Sequence, residues 1–481
     1  MRESNHNEEQ DLRRVLWDPH EVRKLACELA SLAASELTRT DGPVRAHDFL
    51  QGVRRALRRP VTPEDVPSLV AEIAEFSLHL NHPRFLAQQL AAPIPLAALV
   101  ESVVAALNQS IAVWDMSPAG TPIDRDLADR FKRLFGYPKT AGVSMVPGGS
   151  FATLTALVAA RGALEPEAWN KGRARVAVIT GEQTHYSARR AVGILGLGTR
   201  SVFKVATDET YSTDVARVPA AFRAARQARF SKFILIGTAG STATGSFDDL
   251  EALADIARRE KAWFHVDAAH GGGLAFSKTL RHLLDGMESA DSIAFDPHKM
   301  LFMPLAASAI LVREGKHLRN AFEQDAPYLF SNVARKFPDV GPFTIACSQR
   351  FDALKTWLTW KVYSDSLWDQ LTTGVCEVAQ AAHDYCARSR VLEPVHEPHS
   401  NILCFRLRTP PRSIKASDRL HWRIKEAANS SGYTYISSAL ADGRRVLRIV
   451  VMNPRTTPQD AVDALEKIEQ IAQEQGKRGP A

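Results

Sequence analysis

The 481-residue sequence is poor in cysteine and has no long apolar run. Its five cysteines are odd in number and widely spaced, and none belongs to a C-x-x-C pair. A disulfide framework and a zinc site are therefore both disfavoured. No run approaches the roughly 18 apolar residues of a membrane span, and the polar first ten residues lack the apolar core of a secretory signal. We therefore expect a cytoplasmic protein with no metal site and no membrane partner.

Positive charge is only slightly in excess, since the net charge is +6 and the pI is about 9.0. Much of this excess is local, in the segment GVRRALRRP at 52–60. No aromatic-interleaved basic stripe or nucleic-acid motif accompanies it. The cluster therefore favours a solvated helix face over a surface for nucleic acid or acidic membrane, and we expect no nucleic-acid partner.

The spacing of apolar residues divides the chain into three segments. Residues 11 to about 110 have the mixed three- and four-residue spacing of helices. From about residue 140, short apolar runs alternate with longer amphipathic ones, which predicts a largely parallel sheet covered by helices on both faces. Residues 366–481 give a sparser order of helix and strand, typical of a small α+β domain.

Six short apolar runs in the central segment are predicted strands. In such a sheet, ligand sites lie at the carboxyl ends of the strands, so the residues that follow each run deserve separate inspection. The runs are ARVAVITG (174–181), SVFKVAT (201–207), KFILIGTAG (232–240), AWFHVDAA (262–269), SIAFDPH (292–298) and SAILVRE (308–314).

A lysine and an aspartate stand at the ends of two of these runs. Lys299 directly follows SIAFDPH, and Asp267 ends the apolar part of AWFHVDAA. Taken alone, such a lysine is usually a surface residue, and such an aspartate is often a turn or capping residue. Together they suit a specific chemistry, because a deprotonated lysine condenses with an aldehyde and a carboxylate holds a pyridine nitrogen protonated.

Two further segments add a phosphate site and a histidine. In VPGGSFATLTALVAAR, the turn at Gly149 and Ser150 leads into a helix whose free N–H groups suit a phosphate, although Ser150 is also an ordinary N-cap. His185 follows another strand and could stack on a ring and exchange a proton, although a lone histidine is more often structural. The combination of lysine, aspartate, anion turn and histidine predicts pyridoxal 5′-phosphate as the cofactor.

These motifs resemble the group II pyridoxal phosphate-dependent amino-acid decarboxylases, a fold-type I family that includes glutamate, aromatic-amino-acid and diaminobutyrate decarboxylases. The resemblance implies an N-terminal helical dimerisation segment (1–110), a large cofactor domain with a mainly parallel seven-stranded sheet (111–365) and a small C-terminal α+β domain (366–481). Its motifs occur in the family's order: HPRF (82–85), GGS-x-A-T, T-H (184–185), GSTATGSFDDL (240–250), HVDAAHGG, DPHKM, CSQRFDALKTW (347–357) and LRIVVMNPRTT (447–457).

The resemblance also implies roles for individual residues at the cofactor. Lys299 would form the Schiff base, Asp267 would pair with the pyridine nitrogen, and His185 would stack on the ring as a further catalytic residue. Ala269 would lie against the other ring face, and Thr242 matches the hydroxyl near the phenolic oxygen. The phosphate would be held by Gly149, Ser150, His298 and, across the interface of a homodimer, Ser348 of the second chain.

Three residues are implied at the substrate. Arg448 matches the arginine that holds the α-carboxylate in members similar to glutamate decarboxylase, and His82 and Gln88 fall in the segment that lines the pocket. The segment LAQQLAAPIP is not aromatic-rich, and Ala87 replaces the asparagine of the Phe-Asn-Gln pattern of glutamate decarboxylases. A polar, non-aromatic L-amino acid such as diaminobutyrate is therefore the favoured substrate.

One departure from the family pattern concerns the mobile catalytic loop, whose tyrosine supplies a proton to Cα in relatives. The corresponding segment FSNVARKFPDVGPFT contains no tyrosine; Pro338 stands where the relatives' KFYDV places it, and Tyr328 matches an earlier position. Three outcomes stay open. The enzyme decarboxylates an amino acid to an amine with another acid such as His185, couples decarboxylation to oxidative deamination with O2 to give an aldehyde, or binds the cofactor with little turnover.

Overall fold

The computed structural model describes residues 18–172, 174–322, 326 and 339–477. The predicted catalytic-loop positions Tyr328 and Pro338 lie outside these residues. No helix in the described part of the chain is both long and apolar enough to cross a membrane.

Fifteen helices are described here in chain order. Several begin at residues that favour a helix start; for example, the Asp18 carboxylate accepts hydrogen bonds from the first backbone N–H groups of the first helix. The helices are α1 Pro19–Thr38, α2 Phe49–Arg58, α3 Val66–Glu75, α4 Pro95–Leu107, α5 Gly120–Leu134, α6 Gly149–Leu164, α7 Ala168–Lys171, α8 Tyr186–Ile194, α9 Val218–Gln227, α10 Leu250–Glu260, α11 Gly315–Phe322, α12 Ala353–Val362, α13 Asp365–Arg388, α14 Ile414–Ser430 and α15 Pro458–Lys477.

The strands form two sheets. A seven-stranded sheet has the order β2-β8-β7-β6-β5-β3-β4, and a five-stranded sheet has the order β1-β11-β12-β10-β9. The strands are β1 Phe85–Leu86, β2 Gly142–Val146, β3 Val176–Gly181, β4 Val202–Val205, β5 Lys232–Thr238, β6 Trp263–Ala268, β7 Ser292–Phe295, β8 Ser308–Val312, β9 Leu392–Pro394, β10 Ile402–Leu407, β11 Tyr435–Ala441 and β12 Arg444–Val450.

The seven-stranded sheet is mainly parallel, as the sequence predicted. Strands β4, β3, β5, β6 and β7 pair in parallel, and β8 runs antiparallel to both β7 and β2. Strands β3, β6 and β7 are buried along their whole length, because helices cover both faces of the sheet. Such strands read as continuous apolar runs, which is why all six predicted runs were recognisable.

The second sheet includes a strand from the N-terminal segment. Phe85 and Leu86 pair in parallel with Tyr435 and Ile436 of β11, so the HPRF motif adds an edge strand to the C-terminal α+β unit. The Phe85 and Tyr435 rings stack with centroids 5.8 Å apart. This contact joins positions about 350 residues apart in sequence, and it brings the segment after β1 next to β11.

Candidate active site

A cleft of about 200 Å³ opens at the carboxyl ends of strands β3, β5, β6 and β7. This is the edge where open α/β sheets bind their ligands. The cleft contains every predicted cofactor residue except Ser348. It is lined by Gly149, Ser150, His185, Ser187, Thr238, Gly240, Thr242, Asp267, Ala269, His270, Asp296, His298 and Lys299.

Lys299 projects into this cleft from the turn after β7. Its Nζ lies 3.2 Å from Oδ2 of Asp296, and its side chain is 19% exposed. A partly buried ammonium needs such a partner. The lysine is therefore held in the cleft while remaining accessible to a carbonyl compound.

Asp267, at the end of β6, is 7% exposed. Its Oδ1 accepts a hydrogen bond of 3.2 Å from the backbone N–H of Ala269, which fixes the orientation of the carboxylate. The adjacent Ala269 presents only a methyl group, so a flat ring can lie against this wall. This arrangement suits the pairing of Asp267 with a protonated pyridine nitrogen.

The Gly-Gly-Ser turn forms a close-fitting cradle at the N-terminus of α6. A Cβ added at Gly149 would lie 2.7 Å from Asp296 Oδ2 and 3.1 Å from the Ala269 Cβ, so no larger residue fits. The first N–H groups of the helix are directed toward this side, and a helix N-terminus binds anions such as phosphate. The cradle therefore fits the predicted phosphate site.

His298 lies beside the same cradle. Its Nδ1 accepts a hydrogen bond of 3.2 Å from the backbone N–H of Ala307, while its Nε2 lies 3.5 Å from Asp296 Oδ2. Burial lowers the pKa of His298, opposed by the charge of Asp296. The neutral ring therefore presents an Nε2–H donor to the cleft.

His185 is the N-cap residue of α8 and also lines the cleft. Its Nδ1 accepts a hydrogen bond of 3.3 Å from the backbone N–H of Ser187 and lies 2.9 Å from that residue's hydroxyl. Burial lowers the pKa of His185, while Asp267 raises it and Lys299 lowers it. Because Nδ1 is an acceptor here, the proton of the neutral ring resides on Nε2.

The GSTATGSFDDL motif has both a site role and a structural role. Thr242 lines the cleft, whereas the buried Asp248 carboxylate accepts hydrogen bonds from the backbone N–H groups of Thr213 and Thr238, at 2.7 and 2.8 Å. Burial raises the pKa of Asp248, and these two hydrogen bonds oppose that effect. Asp248 thus fixes the end of β5 beside the cleft.

A second cavity, of about 170 Å³, contains Gln88 and Arg448. Arg448 is 5% exposed and donates from Nη1 to the Ser437 hydroxyl at 3.2 Å, while its Nε has no partner among the described residues. Burial lowers the pKa of Arg448. The remaining lining residues are Lys425, Asn429, Tyr435, Ile436, Ser437 and Ser438.

The structure places two predicted site residues outside both cavities. His82 is buried and accepts a hydrogen bond of 3.1 Å from the backbone N–H of Arg84; burial, followed by the charge of Arg84, lowers its pKa to about 4. Ser348 is exposed on the segment before α12. The substrate contact of His82 and the phosphate contact of Ser348 therefore stay predictions.

Sequence reasoning assigned no role to His270, which the structure places between the cleft and the second cavity. Its Nε2 lies 2.7 Å from Asn401 Oδ1, and the Asn401 amide donates to the Val451 carbonyl at 2.7 Å. Burial, followed by the charge of Lys299, lowers the pKa of His270 to about 3, and the charge of Arg448 acts in the same direction. This chain of contacts joins the cofactor wall to the strand that bears Arg448.

Comparisons with known proteins agree with this geometry. The conserved domain of pyridoxal-dependent decarboxylases matches residues 60–408, so the chain belongs to that family. A structure of mouse CSAD is 26% identical, with a TM-score of 0.88, and the match covers 95% of this chain and 99% of that one. A structure of Oryza sativa TDC with PLP and tryptamine is 25% identical, with a TM-score of 0.83, over 95% and 97% of the two chains.

A third similar structure is Rhodiola rosea 4-hydroxyphenylacetaldehyde synthase, which is 23% identical with a TM-score of 0.80. That match covers 95% of this chain and 97% of the other. At this identity the likeness concerns the fold.

The protein is therefore a pyridoxal phosphate-dependent carboxy-lyase, and the described residues fit the cofactor. Asp267 suits the pyridine nitrogen, the close-fitting turn at Gly149 suits the phosphate, and Lys299 suits the aldehyde. The predictions of cofactor, fold type and enzyme class are confirmed.

Proposed function

We propose that this enzyme removes the α-carboxylate of a polar, non-aromatic L-amino acid to give an amine and CO2. The observation that supports this most directly is the buried guanidinium of Arg448. Among the described residues it has no carboxylate partner, and its Nε has no hydrogen-bond acceptor. A buried, unpaired cation is costly, so a site of this kind favours an anionic ligand such as a substrate carboxylate.

Each residue of the cleft has a different proposed role in the reaction. When bound, pyridoxal phosphate supplies an electron sink for the pair left at Cα by departing CO2. Asp267 keeps the pyridine nitrogen protonated, and Ala269 supports one ring face. Lys299 would hold the cofactor through its aldehyde.

His185 is the proposed donor of the proton that Cα needs after CO2 has left. Its Nε2 carries the exchangeable hydrogen because Nδ1 is engaged by Ser187. The ring lines the same cleft as Asp267, Ala269 and Lys299, so it belongs to the site in which the proton is needed. No tyrosine occurs in the loop segment that supplies this proton in relatives.

The proposed substrate class follows from the second cavity. Its polar lining offers amide, hydroxyl and ammonium groups from Gln88, Asn429, Ser437, Ser438 and Lys425. The one aromatic side chain there, Tyr435, is stacked on Phe85. Such a lining solvates a short polar side chain better than an indole or phenol ring.

A second candidate function is decarboxylation coupled to oxidative deamination, which consumes O2 and gives an aldehyde. It is favoured by the loop that lacks a tyrosine, since slow protonation of Cα leaves the electron pair available to O2. Proteins of this fold include one named as an aldehyde synthase, that of Rhodiola rosea. Both reactions would use the same lysine, aspartate and arginine.

We propose that the active form is a cytoplasmic homodimer. The exposed position of Ser348 supports this, because the residue lines neither the cleft nor the second cavity and could reach the phosphate site of a second chain. Apolar side chains exposed on the N-terminal helices, including Val22, Leu25, Leu50 and Leu57, offer a surface for that contact. Sedimentation of the holoenzyme at several concentrations tests this state.

The decisive experiment is a screen of L-amino acids against the holoenzyme that measures CO2, amine, aldehyde, O2 uptake and peroxide together. We expect CO2 and an equal amount of amine from a polar amino acid. CO2 with aldehyde, O2 uptake and peroxide would select the oxidative reaction. CO2 release from aromatic amino acids alone would contradict the proposed substrate class.

The variant Pro338→Tyr provides a matched test of the loop. If the missing tyrosine limits protonation, restoring it raises the amine share of the products and lowers O2 uptake. An unchanged product ratio would mean that another group already supplies the proton.

A further inference from the structure

Asp296 is a second buried carboxylate in the cleft, and the only role assigned to it above is that of ion-pair partner of Lys299. It is 1% exposed, and its Oδ1 has no hydrogen-bond partner among the described residues. Its Oδ2 contacts Lys299 Nζ at 3.2 Å and His298 Nε2 at 3.5 Å. An acceptor-only group with one unpartnered oxygen, inside a site built for an anion, requires a physical explanation.

The carboxylate also lies directly against the phosphate cradle. A Cβ at Gly149 would be 2.7 Å from Oδ2 and 3.2 Å from Oδ1 of Asp296. A phosphate that accepts hydrogen bonds from the N-terminus of α6 therefore comes close to both oxygens. Two like charges this close in a buried site disfavour each other's ionised forms.

Loading of the cofactor changes the charges around Asp296 in two ways. The phosphate would add negative charge beside the Asp296 carboxylate. The reaction of Lys299 with the aldehyde would turn its Nζ, which faces Asp296 Oδ2 here, toward the cofactor. Both changes make the ionised carboxylate less favourable. Protonation of Asp296 by one proton removes this repulsion between carboxylate and phosphate, because a carboxylic acid can donate a hydrogen bond to a phosphate oxygen.

We propose that Asp296 takes up one proton when the cofactor phosphate binds and holds the phosphate as a neutral hydrogen-bond donor. The carboxylate and one proton from solution give the carboxylic acid, whose O–H is shared with a phosphate oxygen; no other bond forms or breaks. Cofactor affinity then depends on pH through this residue, being higher in mild acid and lower in mild alkali.

Three other titratable groups face Asp296. The Lys299 Nζ is its ion-pair partner at 3.2 Å. The Nδ1 of His185 is engaged by Ser187, and burial lowers the pKa of His185. His298 is the nearest competitor, but its Nδ1 accepts the Ala307 N–H and burial favours its neutral form. The carboxylate beside the cradle is therefore the group that phosphate affects most directly.

The test uses the full-length protein depleted of cofactor, with pyridoxine 5′-phosphate as the probe, because that compound has the ring and phosphate but no aldehyde. Titration calorimetry in buffers of different ionisation enthalpy counts the protons taken up. We expect wild type to take up about one proton more per site than Asp296→Asn, whose amide donates without a proton. The affinity advantage of the variant should grow about tenfold per pH unit over the pH range in which binding takes up this proton, and it should level off outside that range.

Pyridoxine, which lacks the phosphate, and the variant Asp285→Asn, at an exposed aspartate outside the cleft, serve as controls. Pyridoxine should show equal proton uptake in wild type and Asp296→Asn, and Asp285→Asn should follow the wild-type pH slope for pyridoxine 5′-phosphate. Equal uptake of the phosphate probe in wild type and Asp296→Asn would place the proton elsewhere, on His298 or on the ligand, and overturn the proposal. Weaker binding by Asp296→Asn at every pH would also overturn it, since that result marks a structural role.

This inference concerns cofactor binding and needs no substrate. Its outcome is therefore independent of whether the product is an amine or an aldehyde. Thermal melts of both variants, compared with wild type, establish that each protein is folded under the conditions of the titration.

Discussion

The cleft around Lys299 and the cavity around Arg448 differ in how their charges are balanced. In the cleft, Lys299 and Asp296 form an ion pair, and the Asp267 carboxylate is oriented by a neighbouring N–H. In the cavity, the Arg448 guanidinium has a single hydroxyl partner and a buried Nε without one among the described residues. The cleft is thus largely prepared before a ligand arrives, whereas the cavity stays incomplete until an anion binds.

The two regions also differ in how the chain builds them. The cleft residues follow consecutive strands of one parallel sheet, so each lies within a short motif. The cavity combines the segment after β1 with α14, β11 and β12, which come from opposite ends of the sequence. If this contrast is right, substitutions in the cleft should affect the chemical step, and substitutions in the cavity should affect binding.

The largest effect is expected for His185→Gln. Loss of the proposed proton donor should lower kcat by about 1000-fold, within the range of general acid catalysis, and should raise the aldehyde share of any remaining product. His282→Gln, an exposed histidine distant from the cleft, is the matched control and should leave kcat unchanged. A large rise in KM with kcat preserved would show that the histidine only binds substrate.

The same histidine predicts a pH dependence of the product ratio. Burial lowers the pKa of His185 below its ordinary value, so the imidazolium is a minor form near neutrality and increases as the pH falls. The amine share should therefore rise in mild acid and fall in mild alkali. Product analysis at saturating substrate measures this ratio, and a flat ratio would indicate a different donor.

A smaller but still large effect is expected for Arg448→Gln. Removing the buried cation should raise KM by about 100-fold, with a smaller change in kcat, because the carboxylate loses a desolvated partner. Arg406→Gln on the neighbouring strand β10 is the control, since that arginine is half-exposed and pairs with Glu393 at 2.7 Å. A fall in kcat at unchanged KM would contradict the assignment of Arg448 to substrate binding.

The smallest catalytic effect is expected for His82→Ala. The ring is buried outside both cavities, so its loss should lower the free energy of unfolding by about 2 kcal/mol. We expect kcat/KM to change by less than about threefold, because a residue that lines neither cavity stabilises the transition state little. Chemical denaturation and steady-state kinetics measure both quantities, with the exposed His20→Ala as control. A raised KM with unchanged stability would instead support the substrate contact predicted from the sequence.

The sequence by itself determined the family and the cofactor, and it predicted the residues that line the cleft. The predicted cofactor residues each follow an apolar strand or begin a helix; they are Lys299, Asp267, Gly149 and His185. Parallel strands bring their carboxyl ends to one edge of the sheet, whatever the details of packing. The sequence did not reveal β2, β9 or β11 as strands, because GVSMV, LEP and YISSALA are short or mixed in polarity and are stabilised by their neighbours.

Only the tertiary structure decided which charges are balanced. The pairing of β1 with β11 places Gln88 in the same cavity as Arg448. The packing of the turn after β7 places Asp296 against Gly149, where the phosphate is predicted to bind. Burial and hydrogen-bond satisfaction depend on contacts between residues far apart in sequence, so no local pattern encodes them. For this reason the motif DPHKM predicted the lysine, whereas the role proposed for the aspartate three positions before it depends on contacts that only the fold provides.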